Sequence, residues 1–278
     1  MTKPPIGRDT RLCMSLSARP GNFGSRFHNR LYELTGLDFV YKSFSTTDLP
    51  AAVGGIRALN IRGCAISMPF KEAVIPLLDE VSAEAREIGA VNTVVIDARG
   101  RTSGHNTDRS GFRAAFREQL GAASVAGKAV LQLGAGGAGR AVSFALMDLG
   151  AAEIMLYDTD RAKARQLAAD LKGRAIVVDT PEPALKAVAV IVNATPIGMR
   201  DGDPHPIVTN ADTRFVSYGS FGAIDPEVDH ASDADRPDRS ERCVVIGGVE
   251  DHFASVAAHG GPTIDEPARF VWFGCLEP

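Results

Sequence analysis

Short apolar runs alternate with amphipathic stretches along most of this chain. Runs that suit buried strands lie near 11–15, 39–44, 61–66, 92–97 and 101–105. Apolar positions at helical spacing predict helices over 25–35, 48–59, 70–78 and 109–120. The alternation then repeats, with strands near 128–133, 153–158, 175–179, 188–194 and 213–218 and helices over 137–149 and 161–171. Strand and helix in turn predict an α/β fold with a largely parallel sheet. Residues 222–242, GAIDPEVDHASDADRPDRSER, lack apolar periodicity and read as a loop or linker. Beyond them the pattern offers one strand, CVVI, and a helix near 249–258 that Gly260, Gly261 and Pro262 end. No internal repeat is visible.

One junction carries chemistry. Gly134, Gly136 and Gly139 give G-x-G-x-x-G, with Ala135, Gly137 and Ala138 between them. A strand precedes this turn and a helix follows it, the context a dinucleotide-binding turn needs. Glycine permits a tight turn and lets a pyrophosphate approach the helix N-terminus, where free N–H groups favour negative charge. Asp158 ends the next strand, 19 residues past Gly139. A carboxylate there accepts hydrogen bonds from ribose hydroxyls and repels a 2′-phosphate, so NAD is expected over NADP. Arg140 and Arg161 lie near enough in sequence to meet a phosphate instead. The bland alternatives are a turn that only packs a helix on a sheet and an aspartate that only starts the next helix.

Composition narrows the partners. The 278 residues suit one large or two modest domains, and 45% hydrophobic content supplies a core. A net charge of -4 leaves no basic footprint for nucleic acid or an acidic membrane. No run approaches the ~18 apolar residues of a membrane span, and the N-terminus lacks a signal-peptide pattern. Cys13, Cys64, Cys243 and Cys275 form no metal or redox spacing, so no metal site and a reducing, cytoplasmic setting are expected.

Three polar clusters sit at predicted strand ends: AISMPFKEA (65–73), GAVNTVV (89–95) and GHNTDRSGF (104–112). Ligands collect at such ends in α/β sheets. Lys71 and Asp108, brought together, make an acid/base pair in which the carboxylate orients the amine and the amine exchanges a proton with a substrate oxygen. Ketone reduction needs that proton and a hydride, which a nicotinamide supplies. Taken singly, Lys71 is a surface lysine, Asp108 an N-cap and Asn92 a turn residue.

In order, GCAISMPFK, GAVNT, GHNTDRSGF, GAGGAGRAV and NATPIGM resemble the run of motifs of the shikimate dehydrogenase family from about residue 10 to about residue 200. The opening TRLCMSLSARPGNFGSRFHNRLY is more similar to that family's shikimate dehydrogenase-like branch. The resemblance implies a substrate domain over 1–108, a Rossmann domain over 109–245 and a segment 246–278 returning to the substrate domain, with a cleft between the two domains. It implies reversible reduction of 3-dehydroshikimate to shikimate, or the quinate counterpart, and makes a homodimer an expectation. Lys71 takes the proton-transfer role and Asp108 is its partner. Asn92, Ser67 and Thr107 contact the substrate, and Thr195 and Met199 lie near the nicotinamide.

Departures from the family pattern bear on the substrate. Asn22 and Gly24 occupy the positions of a carboxylate-gripping Ser-x-Ser, so Ser15, Ser17 or Arg19 are expected to take over. Ala65 replaces an asparagine. No glutamine follows Gln166 to serve the family's C-terminal substrate contact; His252 is a candidate replacement, and Tyr218 a candidate for the tyrosine after the last strand. Either the tail over 219–278 has diverged from the family or it is not the natural tail, since a shifted reading frame upstream of residue 220 would yield such a composition. Three readings follow: a shikimate or quinate dehydrogenase, the same chemistry on a related ring acid, and a binding homologue that turns nothing over.

Overall fold

The computed structural model describes residues 2–197 and the backbone of two later strands, 214–218 and 243–246. The described residues form two compact units, one ending at Thr107 and the other starting at Asp108.

The first unit is a six-stranded sheet in the order β2-β1-β3-β5-β6-β4. Its elements in chain order are β1 (Arg11–Ser17), α1 (Phe23–Thr35), β2 (Phe39–Ser45), α2 (Leu49–Ala58), β3 (Gly63–Ile66), β4 (Glu80–Val81), α3 (Ala83–Ile88), β5 (Thr93–Ile96) and β6 (Thr102–His105). Period-two alternation divides β1 between two cores. Met14 and Leu16 pack with Leu49, Val53 and Ile56 of α2. Cys13 points the other way, to Tyr32 of α1 and Phe39 and Tyr41 of β2. Each such side chain, once buried, contributes ~1.5–3 kcal/mol. Helix ends follow local chemistry. Asp48 caps α2 by accepting from the Ala51 N–H at 3.0 Å, and Gly36 closes α1 in the left-handed region at φ 70°.

The expected largely parallel pairing holds, and one expectation for this unit needs correction. Only β5 runs against its neighbours, antiparallel to both β3 and β6. The five residues 97–101 joining β5 to β6 are too few for a parallel crossover, and Asp97 tightens the turn by accepting from the N–H groups of Arg99 and Arg101. The predicted helix over 70–78 is a series of turns ending in a 3-10 helix at Ile75–Leu77. Pro76 removes a donor and disfavours α geometry at Ile75. The pattern also missed β4 and α3, two and six residues long and too short to show a period. Ser82 and Gly89, which cap α3, were the available signals.

The second unit contains α4 (Asp108–Gln119), β7 (Ala129–Leu133), α5 (Gly137–Asp148), β8 (Glu153–Tyr157), α6 (Arg161–Asp170), β9 (Ala175–Val177), β10 (Val190–Asn193), β11 (Arg214–Tyr218) and β12 (Cys243–Ile246). Its sheet, in the order β12-β11-β10-β7-β8-β9, is parallel at every pairing. Read from β9 this is the doubly wound order 3-2-1-4-5-6, and β7 and β10 flank the point where the winding reverses. Arg109 and Arg113 of α4 pair with Asp148 of α5 at 2.7 and 3.1 Å, and the Arg109 hydrogen bond is the main reason the Asp148 carboxyl is held below its usual range. The predicted strands and helices of this unit are present within a residue or two. Residues 222–242, the helix near 249–258 and the C-terminal return lie outside the described residues. Among the described residues no helix is long and apolar enough to cross a membrane.

Candidate functional site

The glycine turn joins β7 to α5 at the reversal point. Gly134 has φ +98°, and a Cβ there would sit 2.8 Å from the Ala194 carbonyl oxygen. A Cβ at Gly139 would sit 2.2 Å from the Gly134 carbonyl oxygen. Both glycines are therefore required by the chain's own packing. Gly136 differs, since a Cβ there would meet nothing within 4 Å among the described residues. Its open face adjoins the first N–H groups of α5, which have no partner inside the helix. That is the surface a pyrophosphate needs, so the residues present fit a dinucleotide.

The Asp158 carboxylate stands at the rim of this turn. One oxygen accepts from the Ala135 N–H at 2.7 Å and the other from the Asp160 N–H at 2.8 Å. Each oxygen keeps a second lone pair for a ribose hydroxyl. Asp160, not Asp158, caps α6, accepting from Ala162 and Lys163. The two arginines considered for a phosphate meet carboxylates instead: Arg140 pairs with Asp170 at 2.5 Å, and Arg161 pairs with Asp179. Thr195 follows β10, and its methyl lies 3.1 Å from the Cβ position of Gly134. Its hydroxyl donates to Asn193 Oδ1 at 2.7 Å. Met199 lies outside the described residues.

Two buried polar residues of the turn went unnoticed in the sequence. Gln132 and Ser143 are both 0% exposed. Gln132 bonds to both ends of the turn and to Ser143. The available signal was a lone glutamine in the apolar run AVLQL, because a buried amide needs partners.

The first unit gathers a second set of predicted residues at the ends of β3, β5 and β6. The Val91 N–H donates to the Lys71 carbonyl at 2.7 Å, and the Ile66 N–H to the Asn92 carbonyl at 2.7 Å. Asn92 Oδ1 accepts from the Thr107 N–H and the Thr93 hydroxyl, while its Nδ2 donates to Thr107 Oγ1 at 2.7 Å. Asn92 is thus the centre of a network that holds Thr107 in place. Lys71 is half-buried and Ser67 exposed. Asp108 belongs to the second unit, as the first residue of α4, and is 6% exposed.

At the end of β1 the candidates separate. Ser15 is committed internally, bonding Ser43 at 3.0 Å, and Ser43 also meets Ser25 at 2.9 Å. Ser17 is buried, with no partner for its hydroxyl among the described residues. Arg19 and Asn22 are exposed, and Asn22 precedes α1 without capping it. His252 and the side chain of Tyr218 lie outside the described residues.

Comparison with known proteins bears on the fold and the family. The family profile described as shikimate dehydrogenase substrate binding domain matches residues 23–94. A shikimate dehydrogenase-like protein of Haemophilus influenzae is 39% identical over 217 residues, 76% of this chain and 77% of the relative. The crystal structure of shikimate dehydrogenase from Aquifex aeolicus superposes with a TM-score of 0.69 at 36% identity, covering 77% of this chain and 80% of that one. Quinate dehydrogenase from Corynebacterium glutamicum, solved in complex with NAD, gives 0.67 at 32% identity, covering 75% and 79%. With its sheet order, its glycine turn and this breadth of identity, the chain belongs to the shikimate dehydrogenase family.

Proposed function

We propose that this protein is a cytoplasmic nicotinamide-dependent dehydrogenase of hydroxylated ring acids. It interconverts 3-dehydroshikimate and shikimate, or 3-dehydroquinate and quinate, and prefers NAD to NADP. The observation that carries the reading is the glycine turn at the winding reversal, with an open face at Gly136 and a carboxylate at its rim. Gly134, Ala135, Gly136, Gly137, Ala138 and Gly139 cradle the pyrophosphate, and Asp158 receives the ribose. When bound, the nicotinamide supplies or accepts the hydride. Lys71 exchanges the proton with the substrate oxygen, and Asp108 is its acidic partner. Asn92, Thr107 and Ser67 meet ring hydroxyls, a pattern that rejects analogues lacking them.

The test is an initial-rate assay that crosses NAD and NADP with shikimate and quinate. NADH formation with either acid, and a higher kcat/KM for NAD than for NADP, is expected. No turnover of either acid removes the substrate assignment, and a preference for NADP removes Asp158 as the discriminating residue.

A second reading keeps the chemistry and changes the ring acid. It is favoured by Asn22 and Gly24 at the start of α1, where the exposed Asn22 side chain makes no capping hydrogen bond, and by Arg19 as an exposed cation close to them in sequence. A panel of ring acids with altered carboxylate or hydroxyl substituents separates the two readings by kcat/KM.

A further inference from the structure

We infer that Gln132 and Asp158 clamp one peptide plane, Gly134–Ala135, from opposite sides, which makes Gln132 a positioning residue for the dinucleotide turn. The inference rests on the reading of that turn as the cofactor site. Gln132 is the next-to-last residue of β7 and is wholly buried. Its Nε2 donates to the Gly134 carbonyl at 2.8 Å and to the Gly139 carbonyl at 2.9 Å. Its Oε1 accepts from the Ser143 hydroxyl at 2.8 Å. Two carbonyl acceptors around one terminal atom require the NH₂ end there, so the orientation of the amide follows from its partners.

In a trans peptide the carbonyl and the N–H point in opposite directions. The Gly134 carbonyl faces Gln132. The N–H of the same peptide belongs to Ala135 and meets Asp158 Oδ2 at 2.7 Å. One side chain from β7 and one from the residue directly after its neighbour β8 therefore reach opposite edges of the plane. Flipping the plane breaks both bonds and turns the Gly134 carbonyl oxygen toward a carboxylate, where like charges repel. The second bond of Gln132, to Gly139, ties the first turn of α5 to the same amide. One side chain thus closes the loop from the first glycine to the third, and the outward N–H groups of the turn are set before any ligand arrives. Preorganisation of this kind lowers the ordering cost of binding.

The test uses Gln132→Met, which keeps length and volume and removes all three hydrogen bonds, and Ser143→Ala, which frees the amide with little change in packing. NADH affinity is read by fluorescence or calorimetry, steady-state KM and kcat are measured beside it, and Ala135 amide exchange is followed by NMR in the ligand-free protein. Gln132→Met is expected to raise the NADH Kd about tenfold, with the kinetic loss on KM for NAD rather than on kcat, and to speed Ala135 exchange. Ser143→Ala is expected to shift both in the same direction and to carry the test alone if Gln132→Met does not fold. An unchanged Kd in whichever variants fold, with normal binding by the wild type, overturns the clamp, whatever the exchange rate. A wild-type protein that binds no NADH overturns instead the cofactor reading beneath it.

Discussion

Lys71 shows what single residues settle and what they leave to context. A lysine after a proline is ordinarily a solvated surface charge. Here its backbone is bonded to Val91, beside the Asn92–Thr107 network, and its side chain is half-buried. Lys71→Ala is expected to lower kcat/KM by ~10²–10⁴ while NADH affinity stays at the wild-type value, and single-site kinetics with a separate binding titration check both. His28 gives a stability prediction. Its ring stacks on Tyr41 at 4.2 Å between centroids, and burial pushes its pKa from 6.5 down to about 4. The unfolded chain then binds more protons than the folded one between those values, so this contribution is complete above about pH 6.5 and is lost as pH falls toward about 4. Asp79, held down to about 2 chiefly by the Thr102 N–H, acts in a lower window, below 3.8. Thermal melts of the wild type and His28→Gln from pH 7 to 4 should show a shallower decline in the variant. None of this burial was legible from the residue names alone.

At the scale of elements, the glycine turn separates two reasons for glycine that the motif does not. Gly134 and Gly139 are needed because backbone oxygens fill the space of a side chain, whereas the space at Gly136 is open. Gly139→Ala is expected to cost ~1–3 kcal/mol through overpacking, seen as a lower Tm. Gly136→Ala, at φ -74°, is expected to melt like the wild type and yet bind NADH about tenfold more weakly. Equal NADH affinity in Gly136→Ala and wild type would mean that no ligand uses that open face. The strand–turn–helix unit was legible because its period and its glycines are local signals. The segment after Pro69 was not, since a helical spacing of apolar residues persisted where Pro76 forbids the helix.

For the whole molecule, the order of strands carries more information than their number. The second unit winds outward in both directions from β7 and β10, which brings the turn after β7 beside Ala194 and Thr195 after β10. A ligand held there binds the folded state alone, so NADH at 100 times its Kd should stabilise the protein by ~2.7 kcal/mol. A calorimetric scan with and without NADH reads this as a rise in Tm, and an equal rise with ADP-ribose, which lacks the nicotinamide, would place most of the binding energy at the turn. Alternating runs of strand and helix were enough to name the α/β class. They were silent on the direction of β5, which the short connection to β6 makes antiparallel, and on the division into two sheets.

Local chemistry, then, was written in the sequence. Period, caps, the glycine spacing and the order of polar clusters all arise from residues within a few positions of each other. The tertiary structure decided which of those residues act on one another. It gave Asp158 two backbone N–H groups to hold, matched Arg140 to Asp170, turned the Ser15 hydroxyl proton toward Ser43 and set Gln132 beneath the turn. Those outcomes depend on which strands become neighbours, and hydrogen bonds and ion pairs form only between groups a few ångströms apart. A linear pattern does not encode that proximity.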